Sequence, residues 1–301
     1  MNRLPALIAI FLLTTPAIAE QAELKRHTVE SNGHPMALWE KSAADAQEAV
    51  LLVHGRTWSA LPDFDLQVEG EDLSLMDGLV DEGYAVYAVD LRGYGETPRD
   101  DTGWLTPNKA ADDVAAVIDW IAAQHEWRSK PHLFGWSMGS TISQLAEQRH
   151  PGNVASLTLF GYWRDVDSVL PADEPGIVPL REKNTAENAA SDFITPGSIS
   201  QNAIDSYVAA SLEADPIRVD VRSTDQYNAL DGAKITVPTL VIAGEHDPLA
   251  PAANQAKLFL SIGTGHKQYV SVPGGDHAAF LEAPRAYFIR ELAAFFESAS
   301  L

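Results

Sequence analysis

His132-Leu-Phe-Gly-Trp-Ser137-Met-Gly139 sets one serine between two glycines, at the end of an apolar run and the start of a helical pattern. A serine hydroxyl is a weak nucleophile at neutral pH and needs a base beside it, itself oriented by a third group. Two later segments offer such partners, Gly244-Glu-His-Asp247-Pro-Leu-Ala-Pro251 and Gly274-Gly-Asp-His277-Ala-Ala-Phe280, each directly after a strand-like run. Ser137, Asp247 and His277 then stand in the chain order Ser, Asp, His expected of a nucleophile carried on a strand-to-helix turn. The chemistry these types can do together is acyl transfer. Asp276, Glu245, Asp165 and Asp167 are the other acids close enough in sequence to compete with Asp247, and His246 reads as a loop residue because it precedes the acid.

A Gly-x-Ser-x-Gly pattern means little without its setting. Here Pro131-His-Leu-Phe reads as a strand, and Thr141-Ile-Ser-Gln-Leu-Ala-Glu-Gln-Arg149 carries apolar residues at helical spacing. A turn that tight needs Gly135 and Gly139, because backbone and helix must nearly touch there.

The elements that must position these residues alternate along the chain. Leu24–Val29 and His34–Glu40 form a hairpin about Ser31-Asn-Gly33. Ala49–Val53 is a buried strand running into His54-Gly-Arg56-Thr-Trp58; a helix over Leu73–Gly83, the strand Tyr84–Asp90 and an amphipathic helix over Asn108–Glu126 follow. After the serine come a strand over Val154–Phe160, then Val237–Gly244, a helix from Ala252, the strand Gln268–Val272 and a last helix over Ala279–Ser298. Strands alternating with helices predict an α/β fold with a mostly parallel sheet covered on both faces. Between Tyr162 and Ile235 the alternation lapses. The interval from Ser137 to Asp247 exceeds two βα units by roughly 50 residues, so residues 164–232 are expected to form an inserted cap over the strand ends where such sheets bind ligands. The core is then 20–163 with 233–301.

Composition narrows the partners. The chain has 301 residues, is 46% hydrophobic and has a formal net charge of −21, a field that repels nucleic acid and anionic membranes. Cysteine is absent, and no metal-ligand spacing or internal repeat is present, so neither a metal nor a cofactor is expected. Arg3, the apolar run Leu4–Leu13 and Ala17-Ile-Ala19 read as a signal peptide over 1–19, cut near Ala19. The expectation is an exported protein, periplasmic or secreted, without a stable membrane anchor. Its oligomeric state is not legible.

Taken jointly, the His-Gly after the third strand, Asp-Leu-Arg-Gly-Tyr-Gly, Gly-Trp-Ser-Met-Gly, Gly-x-x-Asp-x-x-x-Pro and the late Gly-x-x-His resemble the α/β-hydrolase superfamily. The resemblance implies Ser137 as nucleophile, His277 as general base and acid, and Asp247 as the group that orients His277. It implies an oxyanion hole from the backbone N–H of Met138 and, on the loop after the third strand, that of Arg56, with Thr57 as the neighbouring alternative. The Arg56 side chain has two readings: an ion pair with an acid of the Asp90 loop, the commoner case, or a bond to a substrate carboxylate. His54 is implied to hold its loop by a hydrogen bond. Trp58, Trp136, Tyr162 and Trp163 flank these positions and are expected either as walls for an apolar or aromatic substrate group or as core.

These residues predict a serine hydrolase acting on a small-molecule carboxylic ester through an acyl-enzyme. Lactone hydrolysis, small-amide or aminopeptide cleavage, C–C hydrolysis and cofactor-free peroxidation use similar constellations. The residue after the serine is Met138, which departs from the Trp usual in proline iminopeptidases. A non-enzymatic binding protein is the reading from a different class, disfavoured because all three residue types are present.

Overall fold

The computed structural model describes residues 22–178, 180–219 and 221–300. The leader expected over 1–19 lies outside them. Eight strands form one sheet: β1 (Lys25–Ser31), β2 (His34–Ser42), β3 (Ala49–Val53), β4 (Ala85–Val89), β5 (His132–Trp136), β6 (Leu157–Phe160), β7 (Thr239–Gly244) and β8 (Lys267–Val272), in the order β1-β2-β4-β3-β5-β6-β7-β8. The hairpin strands β1 and β2 pair antiparallel, and β2 runs antiparallel to β4. Every other pairing is parallel. The hairpin turns on Asn32 and Gly33, both at positive φ (51° and 77°), a conformation glycine adopts freely and asparagine tolerates.

Alternation along each strand divides the core in two. Leu51, Val53, Tyr87, Val89 and Leu133 face α3 (Pro107–Ala122) and α4 (Met138–Arg149). Val50, Leu52, Val86, Ala88, Phe134 and Trp136 face α2 (Leu75–Asp81) and α8 (Arg285–Ala299), and α1 (Ala60–Phe64) and α7 (Ala252–Ser261) complete the helices outside the β6–β7 connection. Burial of each such large side chain contributes about 1.5–3 kcal/mol, so the central strands hold the scaffold that carries the loops. This is the α/β architecture expected from the alternation, with helices on both faces.

Two helices differ from expectation at their ends. α3 opens on Pro107 and stops at Ala122, where the Trp127 indole donates to the Ile121 carbonyl at 2.8 Å. α8 begins at Arg285 rather than Ala279 because residues 278–284 form a turn ending in Pro284, which has no N–H to continue a helix upstream.

Residues 161–238 join β6 to β7 and carry α5 (Ala186–Ala190), α6 (Gln201–Ala214) and two 3₁₀ turns, Thr224–Ala229 and Gly232–Lys234. Carboxylates fasten this connecting segment to the rest of the chain. Ser59 and Gly95 donate backbone N–H bonds to Asp215 (2.8 and 2.9 Å), Trp58 Nε1 donates to Asp192 (2.8 Å), and Ile194 and Thr195 donate to Asp276 (3.1 and 2.6 Å). The Tyr207 hydroxyl bridges Asp63 and Asp192. Among the described residues no helix is long and apolar enough to cross a membrane.

Candidate active site

Ser137 follows β5 directly and has φ 55° and ψ −116°, a region costing about 1–3 kcal/mol for a side-chain-bearing residue. The surroundings over-determine it. Its N–H donates to the Phe160 carbonyl at 2.9 Å, and its own carbonyl accepts from the N–H and hydroxyl of Ser140. A Cβ on Gly135 would lie 2.3 Å from the Gly139 carbonyl oxygen, and one on Gly139 would lie 2.1 Å from that of Val53. The two glycines therefore let α4 start hard against the ends of β3 and β5.

Asp247 and His277 meet. His277 Nδ1–H donates to Asp247 Oδ2 at 2.8 Å, while Asp247 Oδ1 accepts from the N–H groups of Leu249 and Ala250 at 2.9 and 3.0 Å. One carboxylate oxygen is thus tied to its own loop and the other aimed at the ring, which leaves His277 Nε2 as the ring's acceptor. The two loops are joined by backbone bonds, His246 to Gly275 and Glu245 to Val272. The competing acids are committed elsewhere: Asp276 to Ile194 and Thr195, Glu245 to the Gly274 N–H, Asp165 and Asp167 to Lys257. His246 is exposed on the rim.

Two contacts tie this pair to the serine turn. Trp136 Nε1–H donates to the His277 carbonyl at 2.6 Å. Gly161, next after the Phe160 that holds Ser137, abuts the imidazole; a Cβ there would fall 2.9 Å from His277 Cε1. The ring is buried, 4% exposed, with Asp192 of the insertion close by. Burial pushes the Asp192 carboxyl up to about 6.

On the loop after β3, a Cβ on Gly55 would lie 3.4 Å from Ser137 Cβ, so this loop runs beside the serine. His54 is wholly buried, donates from Nδ1 to the Gly55 carbonyl (2.8 Å) and accepts at Nε2 from the Leu91 N–H (3.1 Å). Burial pulls its pKa down to about 4, so it is a neutral brace for the loop. The Thr57 N–H faces the Tyr94 hydroxyl at 3.5 Å, whereas the N–H groups of Arg56 and Met138 have no hydrogen-bond acceptor among the described residues. Both of these donors belong to residues that line the cavity at Ser137.

A cavity of about 170 Å³ opens at Ser137, lined by Arg56, Met138, Trp163, Val221, Thr224 and Tyr227. Of the four aromatic residues considered as substrate walls, Trp163 lines it, held by an indole bond to Thr141 Oγ1 (3.3 Å). The other three take the core reading. Trp136 packs edge-on against Phe280, Trp58 is bound to Asp192, and Tyr162 is buried with its carbonyl accepting from Gln255. Each lies within the core, outside the lining. The expected ion pair of Arg56 is also not formed: Asp90 accepts instead from Trp39, Ala60 and Glu96 (3.0, 2.9 and 3.1 Å), and no carboxylate pairs with the Arg56 guanidinium among the described residues. Val221, Thr224, Tyr227 and Gly161 were not anticipated. The first three come from irregular chain with no periodic pattern to place it. Among the described residues no group of His, Asp and Glu is arranged to hold a metal ion.

Residues 44–284 match the family described as serine aminopeptidase, S33. The chain is similar to the AB hydrolase superfamily protein YisY of Bacillus subtilis, 27% identical over 230 residues, covering 69% of this chain and 80% of that protein. It is similar to a monoacylglycerol lipase of Mycolicibacterium smegmatis, 25% identical over 214 residues, covering 66% and 73%. Among solved structures, an esterase from Thermogutta terrifontis superposes with a TM-score of 0.62 at 21% identity, covering 92% of this chain and 100% of the other.

Proposed function

The chain belongs to the serine aminopeptidase S33 family of α/β hydrolases, and on that premise we propose that it is an exported serine hydrolase that cleaves a small carboxylic ester through an acyl-enzyme. The observation that carries this reading is the His277 Nδ1 to Asp247 Oδ2 bond of 2.8 Å, with the ring tied to the Ser137 turn by Trp136 and Gly161.

In this reading Ser137 Oγ attacks the ester carbonyl as its proton passes to His277 Nε2, and Asp247 stabilises the imidazolium. The carbonyl oxygen becomes an oxyanion and takes the free N–H groups of Met138 and Arg56. The C–O bond to the alcohol then breaks, the alcohol leaving with the proton from His277. Water, deprotonated by the same ring, attacks the acyl-serine and releases the acid. Likeness to a monoacylglycerol lipase supports the ester. The family's description favours amide cleavage as the second reading. An aminopeptidase needs an acid to receive the substrate's free ammonium, and no carboxylate lines the cavity at Ser137 among the described residues. The leader-like pattern of residues 1–19, an apolar run after Arg3 that ends in Ala17-Ile-Ala19, is what supports export.

A panel of p-nitrophenyl esters of increasing acyl length, lactones and aminoacyl amides tests the reaction class. Turnover of short esters is expected. Turnover of amides or lactones with every ester inert would contradict the ester assignment.

A further inference from the structure

The position of the Arg56 side chain sets it apart: Arg128, Arg164 and Arg181 also form no ion pair with a carboxylate among the described residues, but Arg56 is the arginine that lines the Ser137 cavity. The chain has 42 acidic residues against 21 basic ones, and Arg26, Arg92, Arg149, Arg222 and Arg285 each pair with a carboxylate. Arg56 has no such partner among the described residues, is exposed, and lines the Ser137 cavity. Among the described residues it is the one charged residue of that lining. Thr224 and Tyr227 share the lining with it, the Tyr227 hydroxyl being buried without a hydrogen-bond partner among the described residues, and the Arg56 charge acts on the buried Tyr94 and Tyr227 phenols. A guanidinium flanked by neutral hydroxyl donors is a receptor for a carboxylate.

The place of the cavity bears on which half of the ester it would take. His277 must protonate the leaving alcohol, yet neither His277 nor Asp247 lines the cavity. On the serine-hydrolase reading we place the alcohol on the imidazole side and the acyl chain on the Arg56 side. At about 170 Å³ the space is below the ~300–1,000 Å³ of ordinary ligand pockets, so that chain is short. Long-range attraction cannot recruit an anion to a chain of net charge −21; contacts inside the roughly 8–10 Å screening length must do so.

We infer that Arg56 is a specificity residue that pairs with a second, free carboxylate on the acyl half of the substrate, making the preferred substrates monoesters of short dicarboxylic acids. This rests on the serine-hydrolase reading above and names its substrate class.

The test compares monomethyl succinate with its neutral near-isostere methyl levulinate, followed by pH-stat, in the wild type, Arg56→Gln and Arg56→Lys, with fluorophosphonate labelling of Ser137 measured in each. The wild type is expected to prefer the anionic ester. Arg56→Gln should reduce the succinate-to-levulinate ratio of kcat/KM by about 30-fold, mostly through KM, the size of a charge-assisted hydrogen bond. Arg56→Lys should recover part of the ratio. If Ser137 labels and the ratio is the same in wild type and Arg56→Gln, the inference is overturned while the hydrolase reading stands. If Ser137 does not label in the folded wild type, that reading fails and takes this one with it.

Discussion

The indole N–H of Trp136 donates to the backbone carbonyl of His277 at 2.6 Å, across 141 positions of sequence. The residue before the candidate nucleophile thereby holds the loop that carries the candidate base. Trp136→Phe keeps the ring's packing and leaves that buried carbonyl without its donor, a cost of about 1–3 kcal/mol. Thermal unfolding should shift down by several degrees, with kcat falling more than KM rises. Unchanged kcat would separate this bond from catalysis.

Gly161 has φ 58° and no space for a side chain beside the imidazole. Gly161→Ala must displace the His277 ring, and misplacement of a base by about 1 Å can cost on the order of 100-fold. Ester turnover should drop by that order while circular dichroism stays native. Full activity in the variant would show that the ring is not held where the structure has it.

Stability should depend on pH in an unusual sense. Burial pushes Asp90 and Asp192 up to about 6 and Glu282 up to about 7, and raises Asp63 and Asp215. A carboxyl whose folded pKa is raised favours folding while protonated, so its contribution is full below the unfolded value near 4 and is lost as pH rises through the folded value. His54 and His132, both pulled down to about 4 by burial, act oppositely between pH 6.5 and 4. The carboxyls are the more numerous. Thermal unfolding is therefore expected at higher temperature at pH 5.5 than at pH 8, with the difference reduced in Asp192→Asn. A higher melting temperature at pH 8 would contradict the buried, proton-binding state of these acids.

The scaffold and the serine turn were legible because they depend on local rules. Buried five-residue strands, the glycine pair about Ser137 and the Asn32-Gly33 turn each dictate their geometry from neighbours a few residues away. Trp136 was partly legible too. It stands two residues after Phe134 on the same strand, and that parity turns both rings toward α8 rather than toward a ligand. Distance in sequence hid the rest. The choice among Asp247, Asp276 and Glu245 depends on which backbone groups each carboxylate meets, and Val221, Thr224 and Tyr227 reach the serine only through the path of an irregular insertion. That Arg56 has no carboxylate partner among the described residues is a fact of tertiary packing that no local pattern records.

The most direct measurement is intact-mass and peptide analysis after exposure of the folded protein to a fluorophosphonate. The account predicts one adduct, on Ser137, formed rapidly in the wild type, slowed at least about 100-fold in His277→Ala, and absent in Ser137→Ala. A folded wild type that gains no adduct, or gains it at another residue, would contradict the account at its centre.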